Sequence, residues 1–271
     1  MNSTGFDEIS NFDYGYATVL IKGERFVDDR MGLIDKSGNY VIEPIYYELG
    51  SVDENGLLPY ELPNTYKSGF INTKNEIVIE AKYRNVKPFN NGVACVQTED
   101  LEWGAINTEN KWTIQPKYYL LFPLYGTDCI SFYENGLVGI MDNNGNIKVK
   151  PIYKGIYEVA KGNGNIVVRA QNSNYKSGFI DLNGNIVIPL NYDEAGVLNG
   201  TYIYVETERN NGTYAFNIMD TSGNVILSLA EDEIPVNAYN GLFLTRKTEG
   251  EKNIYTYRDA SNNTIFTWTG K

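Results

Sequence analysis

The sequence predicts an all-β repeat protein: seven units of short antiparallel strands, arranged as a seven-bladed β-propeller. Three observations predict it. The pattern apolar-Gly-x-Ile-Asp recurs seven times at a spacing of 35 to 39 residues, anchored at Gly32, Gly69, Gly104, Gly139, Gly178, Asn217 and Thr256. Within the copies, turn chemistry of the form Asp-x-x-Gly-Asn separates runs rich in β-branched residues. The composition, 42% hydrophobic with 22 tyrosines in 271 residues, is enough for a buried core and too apolar for a disordered chain.

Each unit has the same internal order. A Gly-led apolar run opens it, as at residues 92–96 and 200–205, and reads as a strand. The Gly-x-Ile-Asp run is the second strand. The joints at residues 35–39, 142–146, 181–185 and 220–224 are hairpin turns, in which Asp accepts from the turn backbone and Gly supplies positive φ. A β-branched run such as Ile186-Val187-Ile188 is the third strand. An extended Pro-containing piece ending in Tyr follows, at residues 44–46, 116–118 and 151–153, and a connector such as residues 83–89 then forms either a fourth short strand or a packed link. A small antiparallel sheet cannot bury both its faces alone, so the units must pack on one another. Residues 6–12 match the connector seen at residues 192–195 and 231–234, whereas the last unit stops at Trp268 before that piece. The N-terminal segment is therefore expected to complete the last blade and close a ring. The alternative is an open β-solenoid stack of three-stranded sheets, favoured by units slightly short for four strands. Residues 1–271 are expected to form a single domain.

The joint pattern, with Pro and Tyr downstream and Asn-Gly-aliphatic-Ala-aliphatic upstream, resembles the bacterial WG-repeat (KWG) family over roughly residues 6–266. Only Trp103-Gly104 keeps the literal Trp-Gly; Met31, Ser68, Val138, Ser177 and Phe216 stand in for the Trp elsewhere. The resemblance implies repeat β architecture and binding roles, and it brings no catalytic motif.

The charge balance of 23 Lys+Arg against 34 Asp+Glu, net −11, disfavours nucleic acid and anionic membrane surfaces as partners. Histidine is absent, which removes Ser-His-Asp and Cys-His catalysis and His-ligated metals. No cofactor, metal site or catalytic residue is expected. Cys95 and Cys129, in the same register of adjacent repeats, read as buried thiols. The start of the chain has no secretion signal and no stretch is long enough to span a membrane, so a cytoplasmic location is expected.

Tyr46, Tyr83, Tyr118, Tyr153 and Tyr192, one per unit, read as inter-repeat packing with hydrogen-bonded hydroxyls. Acidic pairs such as Asp28-Asp29, Glu99-Asp100 and Glu231-Asp232-Glu233, with Glu206 and Glu208, read as solvated turns. The internal copies act as controls on one another. The connector at residues 118–125 aligns without gaps on residues 83–90, and Tyr119, Leu120, Phe122 and Tyr125 replace Arg84, Asn85, Lys87 and Asn90. Large apolar side chains are thus expected where the neighbouring copy shows polar groups to water, which marks these four as partner-binding candidates. The function that follows is a non-catalytic interaction module, most readily one that binds protein in an immunity-like or regulatory role. The alternatives are glycan or cell-wall binding and carboxylate-dependent glycan hydrolysis.

Overall fold

Strands form where β-branched and aromatic residues alternate, and they end where Asx turns and left-handed residues reverse the chain. In the computed structural model, which describes residues 5–208 and 213–270, one hairpin device recurs. Asp35 Oδ1 accepts from the backbone N–H groups of Ser37 (2.8 Å) and Asn39 (3.0 Å), Gly38 takes φ +79°, and Asn39 Nδ2 donates to Asp35 Oδ2 at 3.3 Å. Asp142, Asp181, Asp220 and Asp259 repeat it, each with an Asn four residues on closing its second carboxylate oxygen. The Asp-x-x-Gly-Asn loops are hairpin turns.

Among the described residues seven four-stranded antiparallel sheets follow in chain order. Sheet 1 contains β1 (Glu8–Ile9), β2 (Tyr16–Ile21), β3 (Arg30–Asp35) and β4 (Tyr40–Tyr46); sheet 2 contains β5 (Glu48–Leu49), β6 (Leu57–Glu61), β7 (Ser68–Asn72) and β8 (Ile77–Tyr83). Sheet 3 contains β9 (Asn85–Val86), β10 (Val93–Gln97), β11 (Trp103–Asn107) and β12 (Trp112–Tyr118); sheet 4 contains β13 (Leu121–Pro123), β14 (Cys129–Glu134), β15 (Leu137–Asp142) and β16 (Ile147–Tyr153). Sheet 5 contains β17 (Gly155–Gly162), β18 (Asn165–Gln171), β19 (Ser177–Asp181) and β20 (Ile186–Tyr192). Sheet 6 contains β21 (Ala195–Leu198), β22 (Tyr202–Glu208), β23 (Tyr214–Met219) and β24 (Val225–Ser228); sheet 7 contains β25 (Glu233–Tyr239), β26 (Leu242–Glu249), β27 (Lys252–Arg258) and β28 (Thr264–Gly270). This is a β-propeller fold. Among the described residues the helical content is one 3-10 turn, Phe26–Asp28, and no helix is long and apolar enough to cross a membrane.

The connector is a fourth short strand, the first of the sheet that follows it, so the alternative of three-stranded sheets is set aside. One expectation is corrected. The N-terminal segment obeys the same rule: Glu8 pairs with Leu20 and Ile9 with Val19, so it completes sheet 1. Sheet 7 takes its own first strand from the connector at residues 233–239, and the N-terminal segment is not among its strands. Closure of a ring by that segment is not the pairing observed. Met1 to Thr4 lie outside the described residues.

The anchor glycine has a steric cause. In sheets 1, 2, 3 and 5 the fourth strand bulges opposite it: Met31 pairs with Tyr46 and Leu33 with Ile42, so residues 43–45 face Gly32 alone. A Cβ on Gly69 would lie 2.3 Å from Ile79 O and 2.8 Å from Ala81 N. The bulge ends in the repeat tyrosine. Tyr46 is buried and donates its hydroxyl to Asn75 Oδ1 at 2.6 Å, and Tyr83 donates likewise to Asn110 Oδ1 at 2.6 Å, in each case the left-handed Asn of the next sheet's hairpin. Tyr153 is also buried, while Tyr118 and Tyr192 are half-buried.

The chain divides into two compact units, residues 1–133 with 141–146, and residues 134–140 with 147–271. In the first, cores lie between successive sheets: one holds Leu33, Ile42, Leu58 and Ile71, the next Phe70, Ile79, Phe89 and Ile106, and the third Cys95, Trp103, Leu121 and Phe132. In the second, Val167, Phe179, Ile203 and Met219 form one core and Phe216, Ile218, Leu227 and Phe243 another.

Candidate functional site

The connector into sheet 4 begins where β12 ends at Tyr118. Its strand alternation, Leu121 and Pro123 buried with Phe122 outward, follows from pairing Leu121 with Phe132 and Pro123 with Ile130. Leu121 and Leu124 fill the core, and Tyr119, Phe122 and Tyr125 are left 83%, 44% and 42% exposed. Leu120 differs from them: it is half-buried and packs on the Trp103–Phe132 core. On the neighbouring connector Arg84 and Asn85 are exposed and Lys87 half-exposed. Asn90 is not a water-facing counterpart of Tyr125. It is 6% exposed, accepting from Gly126 N–H and donating to Thr127 O, both at 2.7 Å.

The exposed side chains line separate recesses. Phe122 and Tyr125 meet edge to face, centroids 6.1 Å apart, and line a cavity of about 330 Å³ with Tyr60, Glu48, Glu61 and Lys87. Lys87 Nζ sits 5.6 Å from the Phe122 ring centre and 5.8 Å from that of Trp103, within cation–π range. Tyr119 and Leu120 line a different, open recess of about 700 Å³ with Leu101, Trp103, Tyr118, Asp100, Glu102 and Lys117.

The electrostatics of this region come from carboxylates. Glu48 and Glu61 are direct cross-strand partners; desolvation, and then the Glu48 charge, raise the pKa of Glu61. Desolvation holds the Tyr125 phenol up to about 12, with the nearby Cys95 adding to the effect. Burial likewise pushes the Cys95 thiol up, which makes it a poor nucleophile. Cys95 and Cys129 are both buried and form no disulfide.

The acidic runs singled out in the sequence are not brought together. Asp28 pairs with Arg25, Asp29 accepts from the Gly23 N–H, Glu99 pairs with Lys67, and Glu233 pairs with Arg258. Glu206 has its pKa raised by desolvation and then by Glu194 and Asp193. Among the described residues no group of three or more His, Cys, Asp or Glu could hold a metal ion. Sequence reasoning missed the Glu48–Glu61 pair, which becomes visible only with the register of β5 on β6.

The model of the WG containing repeat matches residues 31–66, 69–101, 103–137, 139–175 and 178–206, well over half of the chain. The chain belongs to the WG-repeat family. A search of curated proteins finds no match. Among solved structures, this WG-repeat protein is similar to a eukaryotic initiation factor (TM-score 0.64, 13% identity, 98% of this chain and 78% of that one). It is also similar to Hsv2p from Kluyveromyces lactis (0.52, 8%, 98% of each) and to oligopeptidase B from Leishmania major (0.51, 10%, 95% of this chain and 47% of that one). Likeness at such identities shows the fold alone.

Proposed function

We propose that this protein is a non-catalytic interaction module that binds another protein through the connector of sheet 4, in a regulatory or immunity-like role. The observation that carries this reading is the substitution of exposed Tyr119 and Phe122 for Arg84 and Lys87 of the adjacent, otherwise equivalent repeat. Exposed aromatic side chains beside recesses are among the residues on which protein interfaces concentrate their binding energy. The repeat propeller fold itself suggests interaction, and the net charge of −11 favours a basic partner by speeding encounter. The test is capture from native lysate with mass spectrometry, alongside Phe122→Asp with its fold verified by circular dichroism. One protein enriched by the wild type and lost in the variant supports the reading. Equal capture by both removes it.

A second reading has its own observation. The recess of Tyr119 combines Trp103, Tyr118 and Tyr119 with Gln97, Asp100, Glu102 and Lys117, aromatic surface beside hydrogen-bonding groups, which suits a sugar. Binding on a glycan array, abolished by Tyr119→Ala and retained in Phe122→Asp, distinguishes it from the first.

A further inference from the structure

We propose that the recess lined by Asp53, Glu54, Tyr14 and Tyr125 takes an arginine side chain of the bound protein, with Asp53 as its counter-ion; this rests on the protein-binding reading. The repeated hairpin device supplies the control. In the turns headed by Asp35, Asp142, Asp181, Asp220 and Asp259, one carboxylate oxygen takes backbone N–H groups and the other takes the side-chain amide of an Asn four residues on. Asp53 heads the same turn, its Oδ1 accepting from the N–H groups of Asn55 and Leu57, both at 2.8 Å. Position 57 is a leucine, so the second donor is missing. Among the described residues Asp53 Oδ2 has no hydrogen-bond partner, and Asp53 is 5% exposed.

A buried carboxylate without its donor is costly, and the protein does not remove the cost internally. In the next sheet the corresponding turn position is the neutral Asn90, with both its amide atoms engaged. At Asp53 desolvation, with the Glu54 charge adding to it, raises the carboxyl pKa against the backbone donors of the turn, as for an anion lacking a partner. The residue lines a cavity of about 390 Å³ whose wall includes Glu54, Asn91, Tyr14 and Tyr125 and has no Lys or Arg. Across Pro88 and Tyr125, which the two cavities share, lies the recess with Glu48 and Glu61. Carboxylates thus line both spaces, with Lys87 beside Glu48 and Glu61 in the second and no cation in the first, whose walls include Tyr14 and Tyr125. Guanidinium matches both features, since it is planar, stacks on aromatic faces and donates to carboxylates, whereas an ammonium offers a compact and strongly hydrated charge.

The probe is acetyl-glycyl-arginyl-glycine amide, titrated into the isotope-labelled protein and followed by amide NMR, with the citrulline peptide as an uncharged isostere. Shifts centred on residues 53–57 and 125–126, absent with citrulline and weakened about tenfold in Asp53→Asn, are the expected result. Asp53→Asn keeps the Oδ1 acceptor of the turn, and Tyr125→Ala provides a second variant that removes the stacking wall without touching the turn. Equal shifts with citrulline, or undiminished arginine binding in both variants, overturn the proposal. A captured protein lost in Phe122→Asp but held undiminished by Asp53→Asn overturns it too, while leaving the protein-binding reading in place.

Discussion

In sheet 2, Gly69 lies under the bulge of β8, where three residues face it between the Ser68–Tyr83 and Phe70–Ile79 pairs. In sheet 7 the same anchor position is Thr256, and β28 runs straight across it, Thr256 opposite Thr267. Sheet 6 lies on the same side of the divide, with Asn217 opposite Ser228 and Ile218 opposite Leu227. The glycine is therefore required by the bulge and dispensable without it, and the family match ends at residue 206, within β22 of sheet 6. What fastens the two kinds of sheet also differs. Sheets 1 and 2 send a tyrosine hydroxyl to the next hairpin, whereas sheet 7 is tied by Arg258 to the buried Glu233, Nε and a terminal nitrogen at 3.0 and 2.9 Å, with Thr245 donating to the same carboxylate.

The largest way to break this comparison is to remove the difference at the anchor. Gly69→Ala should cost about 3 kcal/mol in urea unfolding, because the new methyl meets backbone that cannot withdraw. Thr256→Ala should cost about 1 kcal/mol, the loss of a hydroxyl contact. Comparable losses at the two sites would refute the steric explanation. Arg258→Met should destabilise by about 3 kcal/mol, since it strands Glu233 in a buried setting, and Glu233→Gln with Arg258→Met together should recover part of that. Tyr46→Phe should cost about 1 kcal/mol, with Asn75 Oδ1 losing its donor.

The smallest effects are those of pH, and they carry opposite signs. Asp35 and Asp259 have carboxyl pKa values lowered by hydrogen bonds, from the Asn39 backbone and the Asn263 side chain first. Their contribution is present above the unfolded pKa, about 3.9, and is lost as the pH falls through the folded values. Glu61 is raised, so its ionised form opposes folding above its folded pKa and the penalty fades on acidification. Glu61→Gln should accordingly be more stable than the wild type at pH 7, with the difference vanishing once Glu61 is protonated. A constant difference across that range would contradict the assignment.

The period, the hairpin turns and the strand identities were legible because each rests on local chemistry repeated from unit to unit: an Asp or Asn that accepts from its own turn, a residue that tolerates positive φ, a β-branched run. The phase of the repeat was not. Whether a connector such as residues 83–89 belongs to the sheet before or after it depends on non-local pairing, and the misplaced N-terminal segment follows from that one ambiguity. Within the candidate site, comparison of connectors pointed to Tyr119, Phe122 and Tyr125, but not to the inward turn of Leu120 or the buried amide of Asn90, which depend on what the adjacent sheet presents. The orphaned oxygen of Asp53 had a readable signal, Leu57 where other turns have Asn. That signal acquires meaning only once the burial of Asp53 is known.

The most direct measurement converts one connector into the other. The variant Tyr119→Arg, Phe122→Lys, Tyr125→Asn gives sheet 4 the residues found at 84, 87 and 90, and its capture of protein from native lysate is compared with that of the wild type, both showing the same circular dichroism. The account predicts a partner held by the wild type and released by the variant. Retention of that partner by the variant would contradict it.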